Sequence, residues 1–416
     1  MRAVWLLVVC AGALAAQKVP VPRLLEMARS EPNSTRFREA LVATLGEAEI
    51  QKGAAVAGEG PDFIWAYLSG KHPSLFVDDL PLGTMRLITG TKIWFHAGRL
   101  GTGTSHRFHY VVDGARAGGR NDVAAYGPDS YPKPGVGQGK ITEKMVHTSK
   151  IYEGMTSDYW VYAPAPYDPA TPAALMVWQD GQGFVARDGA SRLLNVIDNL
   201  IHQKKIPVTI QVLIAPGMIG QRAMRSILYD TVNDRYARFL RDELLAEVAS
   251  RYNLRRDGYS RGIAGQSSGG ICAFNVAWHQ PDQFSRVLSR IGSFTSIQWK
   301  PGELDGGNVY PFKVRKEPKR NIRVWLDDGS EDLENNHGSW PLQNIQLANS
   351  LKMRGYDFHF SFGGGTHSTA YGNAELPEVL AWLWRDYDPA RTEQTYEQET
   401  AERSKPLFRV RIHNRE

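Results

Sequence analysis

Cysteine is almost absent: of 416 residues only Cys10 and Cys272 carry a thiol. If Cys10 is lost with a processed leader, one cysteine remains and an internal disulfide is excluded. Cys272 sits in an apolar, helix-like stretch and reads as core packing rather than as a nucleophile. Long apolar runs are equally scarce. The one run present, Ala3 to Leu14, follows Arg2 and closes on Leu14-Ala15-Ala16, the pattern of a secretory signal over residues 1–16 with a mature start at Ala16 or Gln17. Val9 stands where lipidation of Cys10 would need a small residue, and no other stretch is apolar enough to span a bilayer. There is no paired-cysteine motif, no His-Glu-x-x-His and no phosphate loop, so neither metal nor cofactor is expected. The net charge of +5 is spread without a basic aromatic stripe, which argues against nucleic acid and mildly favours an anionic substrate or surface. What is abundant is ordinary globular material, 42% hydrophobic and 22% charged, in a chain long enough for more than one domain.

Periodicity divides the chain. Residues 17–59 are helix-like and polar, with Leu24, Leu25, Met27, Phe37, Leu41 and Leu45 at mostly helical spacings. Residues 60–113 change to short β-type runs such as Phe63-Ile64-Trp65-Ala66-Tyr67 and Phe108-His109-Tyr110-Val111-Val112, separated by turns, as in a small antiparallel sandwich. Residues 114–140 are rich in glycine and proline and read as a linker, whose tyrosines suggest that it lies against the second domain. From 141 to about 390 strands and helices alternate, which predicts an α/β domain with a mostly parallel sheet covered on both faces. The tail 391–416 is polar and has no readable role.

One pentapeptide points to chemistry. Gly265-Gln266-Ser267-Ser268-Gly269 follows the apolar run Gly262-Ile263-Ala264 and precedes an apolar helix, the setting of a strand-to-helix nucleophile elbow. A second match, Gly258-Tyr259-Ser260-Arg261-Gly262, follows the polar Asn253 to Asp257 and reads as a surface turn. Ser267 needs a base and an acid to orient that base. His367, ending Gly363-Gly364-Gly365-Thr366-His367 after the Tyr356–Phe362 strand, has the best position; His359 lies within a strand, and His279 and His202 on helices. Asp327-Asp328-Gly329-Ser330-Glu331-Asp332 offers four acids, among which spacing does not choose. Oxyanion donors would be the amide of Ser268 and one from Asp180-Gly181-Gln182-Gly183, around Gln182. Arg222 and Arg225 fall on the same side, able to clamp an anionic substrate or to form ion pairs with Asp230 or Asp234.

These segments, with Val177-Trp178-Gln179-Asp180-Gly181-Gln182, Trp278-His279-Gln280-Pro281-Asp282-Gln283-Phe284 and Gly292-Ser293-Phe294, resemble the esterase D / enterochelin esterase-like family of α/β-hydrolases over Ile141–Tyr387. That family includes catecholate siderophore esterases, feruloyl and acetyl xylan esterases, S-formylglutathione hydrolase and the antigen 85 mycolyltransferases. Phe63-Ile64-Trp65, Ile93-Trp94-Phe95 and Phe108 to Gly114 resemble the early-set immunoglobulin-like domain that precedes the hydrolase in enterochelin esterases. The resemblance implies a serine carboxylic ester hydrolase without cofactor, with Ser267 as nucleophile, His367 as base and Asp332 as acid, since Gly329-Ser330-Glu331-Asp332 looks like the family's Gly-x-x-Asp turn; Asp328 is second choice. Leu228 in Arg225-Ser226-Ile227-Leu228-Tyr229 departs from the glutamate usual in enterochelin esterases, which bears on siderophore specificity. The alternatives are a feruloyl or acetyl xylan esterase acting on a polysaccharide-linked ester, with Trp65, Tyr67 and Trp94 as stacking surfaces, and a non-catalytic surface-binding protein on the same scaffold.

Overall fold

The computed structural model describes residues 17–405, so the expected signal over 1–16 and the end of the polar tail lie outside the described residues. The chain divides into two compact units, one of residues up to 101 with 106–121, the other of 102–105 with 122 onward.

The first unit opens with three helices, α1 (Val21–Ser30), α2 (Thr35–Leu45) and α3 (Glu47–Lys52). Ser34 caps α2 by accepting from the Phe37 N–H at 2.9 Å. Eight strands follow: β1 (Ala55–Glu59), β2 (Asp62–Leu68), β3 (Ser74–Val77), β4 (Leu80–Thr84), β5 (Arg86–Leu87), β6 (Ile93–Arg99), β7 (Thr104–Val112) and β8 (Ala115–Ala125). They form two four-stranded sheets, β1-β2-β6-β5 and β4-β3-β7-β8. Edge-on contact of Trp65 with Phe108, ring centroids 6.4 Å apart, joins the two sheets. The helices close over the other face of the first sheet, where Leu24, Phe37 and Leu41 bury with Ile64 and Phe95. Two strands lie where other structure was expected. β1 falls inside the predicted helical leader, and β8 occupies the start of the predicted linker. The glycines that suggested a linker serve a close approach: a side chain on Gly119, at φ +107, would stand 2.3 Å from the Phe108 carbonyl oxygen.

The second unit is built on one eleven-stranded sheet among the described residues. Its elements are β9 (Lys140–Ile141), β10 (Met145–Thr148), β11 (Met155–Ala163), β12 (Ala174–Gln179), α4 (Leu193–His202), β13 (Thr209–Ile214), β14 (Met218–Ile219), β15 (Arg222–Ala223) and α5 (Arg225–Tyr229). Next come α6 (Arg235–Phe239), α7 (Leu245–Ala249), β16 (Arg261–Gln266), α8 (Ser268–His279), β17 (Arg286–Arg290), α9 (Tyr310–Lys316) and β18 (Arg323–Glu331). The last are β19 (Glu334–Asn335), β20 (Gly338–Ser339), α10 (Trp340–Met353), β21 (Asp357–Thr366), α11 (Ala370–Leu383) and α12 (Thr400–Ser404). The main path runs β15-β14-β11-β13-β12-β16-β17-β18-β21. From β13 to β21 every pairing is parallel, whereas β11 runs antiparallel to β13. Two apolar layers cover the faces, one with α8 residues Phe274 and Trp278, the other with α4 and α11 residues Ile197, Leu200 and Leu380. This is the expected parallel sheet between helices, and it aims the carboxyl ends of β12, β16, β17, β18 and β21 at one rim.

Several local expectations change. The helix predicted over Tyr236–Tyr252 is interrupted by one π-turn at Leu240–Leu244 between α6 and α7. Ser260 is not at the surface but fully buried, its hydroxyl bonded to Asp257 Oδ1 (2.7 Å) and Tyr387 (3.0 Å). β18 and β21 run on through the acidic and glycine-rich segments expected to be loops, pairing up to Gly329↔Gly363 before the register shifts. The tyrosines of the connector do lie on the second unit: the Tyr126 hydroxyl donates to Ala190 O at 2.6 Å, and the Arg192 guanidinium stands over Tyr126 and Tyr131.

Candidate active site

Ser267 is the turn between β16 and α8, with φ +58 and ψ −124. That conformation is sparsely populated for a residue with a side chain and costs of order 1–3 kcal/mol. The surroundings hold it: Ser267 N–H donates to Arg290 O at 2.9 Å, and its carbonyl accepts from Ser293 N–H at 3.1 Å. Gly265 and Gly269 permit the reversal, since a side-chain carbon on Gly265 would lie 2.0 Å from Gly269 O. The hydroxyl is thereby raised at the rim, where His367, one residue beyond β21, meets it with Nε2 2.8 Å from Ser267 Oγ. His367 Nδ1 donates to Asp332 Oδ1 at 2.5 Å, and Asp332 accepts a second bond from the Leu333 N–H. A tight turn, Asp332 N–H to Gly329 O at 3.2 Å, folds Asp332 back under the imidazole. Burial pulls the Asp332 carboxyl upward, but the hydrogen bond from His367 and further ones from Asp328 and Leu333 outweigh it and hold the group below its usual range. A neutral imidazole between a hydroxyl and a carboxylate can take the serine proton and be stabilised as it charges.

Of the four acids it is therefore Asp332 that reaches the imidazole. Asp328 lies beneath it, and Asp327 turns to Arg290, Nε 3.5 Å from Oδ2. The two expected amide donors lie on adjoining segments. Ser268 starts α8, where N–H groups lack intrahelical acceptors. Gln182 lies in the turn Gly181–Gly183, closed by Gly183 N–H to Asp180 O and Phe184 N–H to Gly181 O. This turn abuts the elbow, because a side-chain carbon on Gly269 would touch Gln179 and Asp180.

Of the two readings of the arginines, Arg225 follows the ion-pair one, with a different partner. Arg225 closes its fork on Asp180, Nε to Oδ1 and Nη2 to Oδ2 both 2.8 Å, so its charge is already matched. The partner is neither Asp230 nor Asp234, because the αL turn at Asp180 brings that carboxylate onto α5. Arg222 lies exposed on β15 and has no part in the triad. Sequence reasoning passed over two further groups. Ser293 Oγ stands 3.3 Å from Ser267 Oγ and accepts from Trp340 Nε1 at 3.0 Å, while the Trp340 ring meets the His367 ring edge-on. Gly292-Ser293-Phe294 carried a signal for Ser293; nothing in the sequence singled out Trp340. Among the described residues no group of His, Cys, Asp and Glu side chains could hold a metal, and no helix is long and apolar enough to cross a membrane.

A strained serine, histidine and aspartate at the rim of a parallel sheet define an α/β-hydrolase. The family model described as "Putative esterase" matches residues 155–383, and the chain belongs to that esterase family. An iron(III) enterobactin esterase of Dickeya dadantii is 26% identical over 165 residues, a match spanning 36% of this chain and about a third, 35%, of that protein. The crystal structure of an enterobactin esterase from Shigella flexneri in the presence of enterobactin superposes with a TM-score of 0.54 at 16% identity, over 85% of this chain and 99% of that one. A ferric enterobactin esterase from Salmonella typhimurium gives 0.53 at 16% identity, over 80% and 97%. At that identity the likeness concerns the fold.

Proposed function

We propose that the protein is an exported serine carboxylic ester hydrolase in which Ser267 attacks the ester carbonyl, His367 takes and returns the proton, and Asp332 fixes the imidazole. The observation that carries this reading is the unbroken line Asp332–His367–Ser267, 2.5 and 2.8 Å per link, ending on a serine held at φ +58. The tetrahedral oxyanion is assigned to the amides of Ser268 and Gln182. Ser267→Ala should lower turnover of a simple aryl ester by about four orders of magnitude or more while leaving the melting curve in place. Wild-type-like activity in that variant would reject the assignment, and failure of a serine-directed phosphonate to label Ser267 would favour a non-catalytic scaffold.

The substrate is a small-molecule ester, with a catecholate siderophore ester as first choice. The enterobactin esterase of D. dadantii supports that choice. Leu228, buried in α5, stands against a siderophore contact at that position. A polysaccharide-linked feruloyl or acetyl ester is the rival. Its proposed sugar platform is weakened because Trp65 is buried and Tyr67 stacks on Tyr110, centroids 4.6 Å apart. Parallel assays on enterobactin, a feruloylated sugar and acetylated xylan separate the two. Export rests on the pattern of residues 1–16; amino-terminal sequencing of the protein recovered from a secreting host should begin at Ala16 or Gln17, and an intact Met1 would refute it.

A further inference from the structure

The carboxyls of Asp328 and Asp332 stand within hydrogen-bond reach of each other, and Asp332 holds the imidazole. Asp328 Oδ1 accepts from the Gly329 N–H at 2.7 Å. Asp332 Oδ1 accepts from His367 and from Leu333. The remaining oxygens, Asp328 Oδ2 and Asp332 Oδ2, are buried, and among the described residues no N–H or hydroxyl reaches either one. The hydrogen bond left to them is the one between the two carboxyls. Two bare carboxylates cannot make it, because each is only an acceptor. One must carry a proton.

Geometry decides which. Asp332 already accepts two N–H donors, one of them the imidazole that becomes positive during turnover, and these favour its charged form. Asp328 has a single amide donor and faces the charges of Asp332 and Asp327. The buried guanidinium of Arg290 on β17 is turned toward Asp327. Burial and the neighbouring carboxyl of Asp332 accordingly push Asp328 far above the usual carboxylate range.

We infer that Asp328 is a positioning residue, a neutral carboxylic acid at rest that donates its proton to Asp332 Oδ2 and keeps Asp332 as the ionised, correctly turned partner of His367. This rests on the proposed roles of Ser267, His367 and Asp332. No proton leaves the pair in the reaction: the Ser267 proton passes to His367 Nε2, and the Asp328 O–H bond stays intact.

The test uses the full-length protein with two substitutions. Asp328→Asn supplies an amide N–H to the same oxygen; Asp328→Ala supplies none. On an aryl ester the Asn variant should keep kcat within about threefold near neutral pH, whereas the Ala variant should lose about tenfold or more in kcat with KM little changed. Wild-type activity should fall at the alkaline end, where the pair gives up its proton, and the Asn variant should hold level there. An Ala variant as active as wild type, or an Asn variant with the same alkaline fall, would overturn the inference. Infrared difference spectra read the pair without turnover when taken at about pH 8.5, above the value of about 7 at which buried Glu375 gives up its proton: the carbonyl band of a protonated carboxylic acid should be present in wild type and in Ser267→Ala, and absent in Asp328→Asn. Persistence of that band in the Asn variant would also overturn it. An inactive wild type that shows the band would refute the proposed catalysis and leave the shared proton standing.

Discussion

At the scale of single residues, buried charge is the main theme of the hydrolase unit. Arg286 is buried with no carboxylate paired to it among the described residues and lies among the rings of Tyr259, Trp384, Tyr387 and Tyr396, donating to Tyr259 O at 3.0 Å. Glu375 is buried near Asp327 and accepts from Ser361 at 2.9 Å; burial first, then the charge of Asp327, pushes its carboxyl up to about 7. The native state thus holds a proton on Glu375 that the unfolded chain releases at lower pH. Stability from this group is complete below the unfolded value and is lost as pH rises through about 7. Thermal melts across this range should show Glu375→Gln gaining on wild type as pH increases; parallel curves would contradict the assignment. Trp340 offers a kinetic counterpart. Trp340→Phe keeps a ring against His367 but removes the donor to Ser293, so kcat should fall by about threefold to tenfold at unchanged KM, an amount in keeping with one hydrogen bond.

At the scale of elements, the close approach at the elbow sets the tolerance. Gly265→Ala would drive a methyl into Gly269 O and should cost about 3 kcal/mol or more, read as a lower urea midpoint. β18 and β21 are locked at their other end by Asp357, which takes Arg323 Nε at 2.7 Å and Arg385 Nη2 at 2.6 Å, with Arg323 and Asp357 paired in register. Asp357→Asn removes the counter-charge of buried Arg323 and one of the two carboxylates on half-buried Arg385, and should destabilise by about 3 kcal/mol. Elements also show what could be read in advance. β12, β13 and β16 were legible because each is a short apolar run between turn signals. β17 was not, because Arg-Val-Leu-Ser-Arg looks polar until Arg286 finds its aromatic box and Arg290 its aspartate. The reach of β21 was hidden by Gly363-Gly364-Gly365, a triplet that suggests a loop and here pairs with β18. Ser267 and His367 were legible from strand context. The choice of Asp332 depended on family resemblance, because the fold of the Gly329–Asp332 turn is decided by contacts far apart in the chain.

At the scale of the whole molecule, the two units own separate cores: Leu24, Phe37 and Leu41 anchor one, while α8 and α11 cover the sheet of the other. Calorimetry should resolve two transitions, with Phe37→Ala lowering one and a phosphonate bound at Ser267 raising the other. A single transition moved by both would show that the cores melt as one. The position of β21 has a last consequence. It closes the main path of the sheet, paired with β18 alone among the described strands, yet it carries the imidazole. The serine belongs to an interior strand turn and the base to the border, so the machinery is only as durable as the seam between the final two strands. Fraying of that seam would silence the enzyme while most of the body stayed folded, and on gentle heating loss of turnover should run ahead of loss of structure.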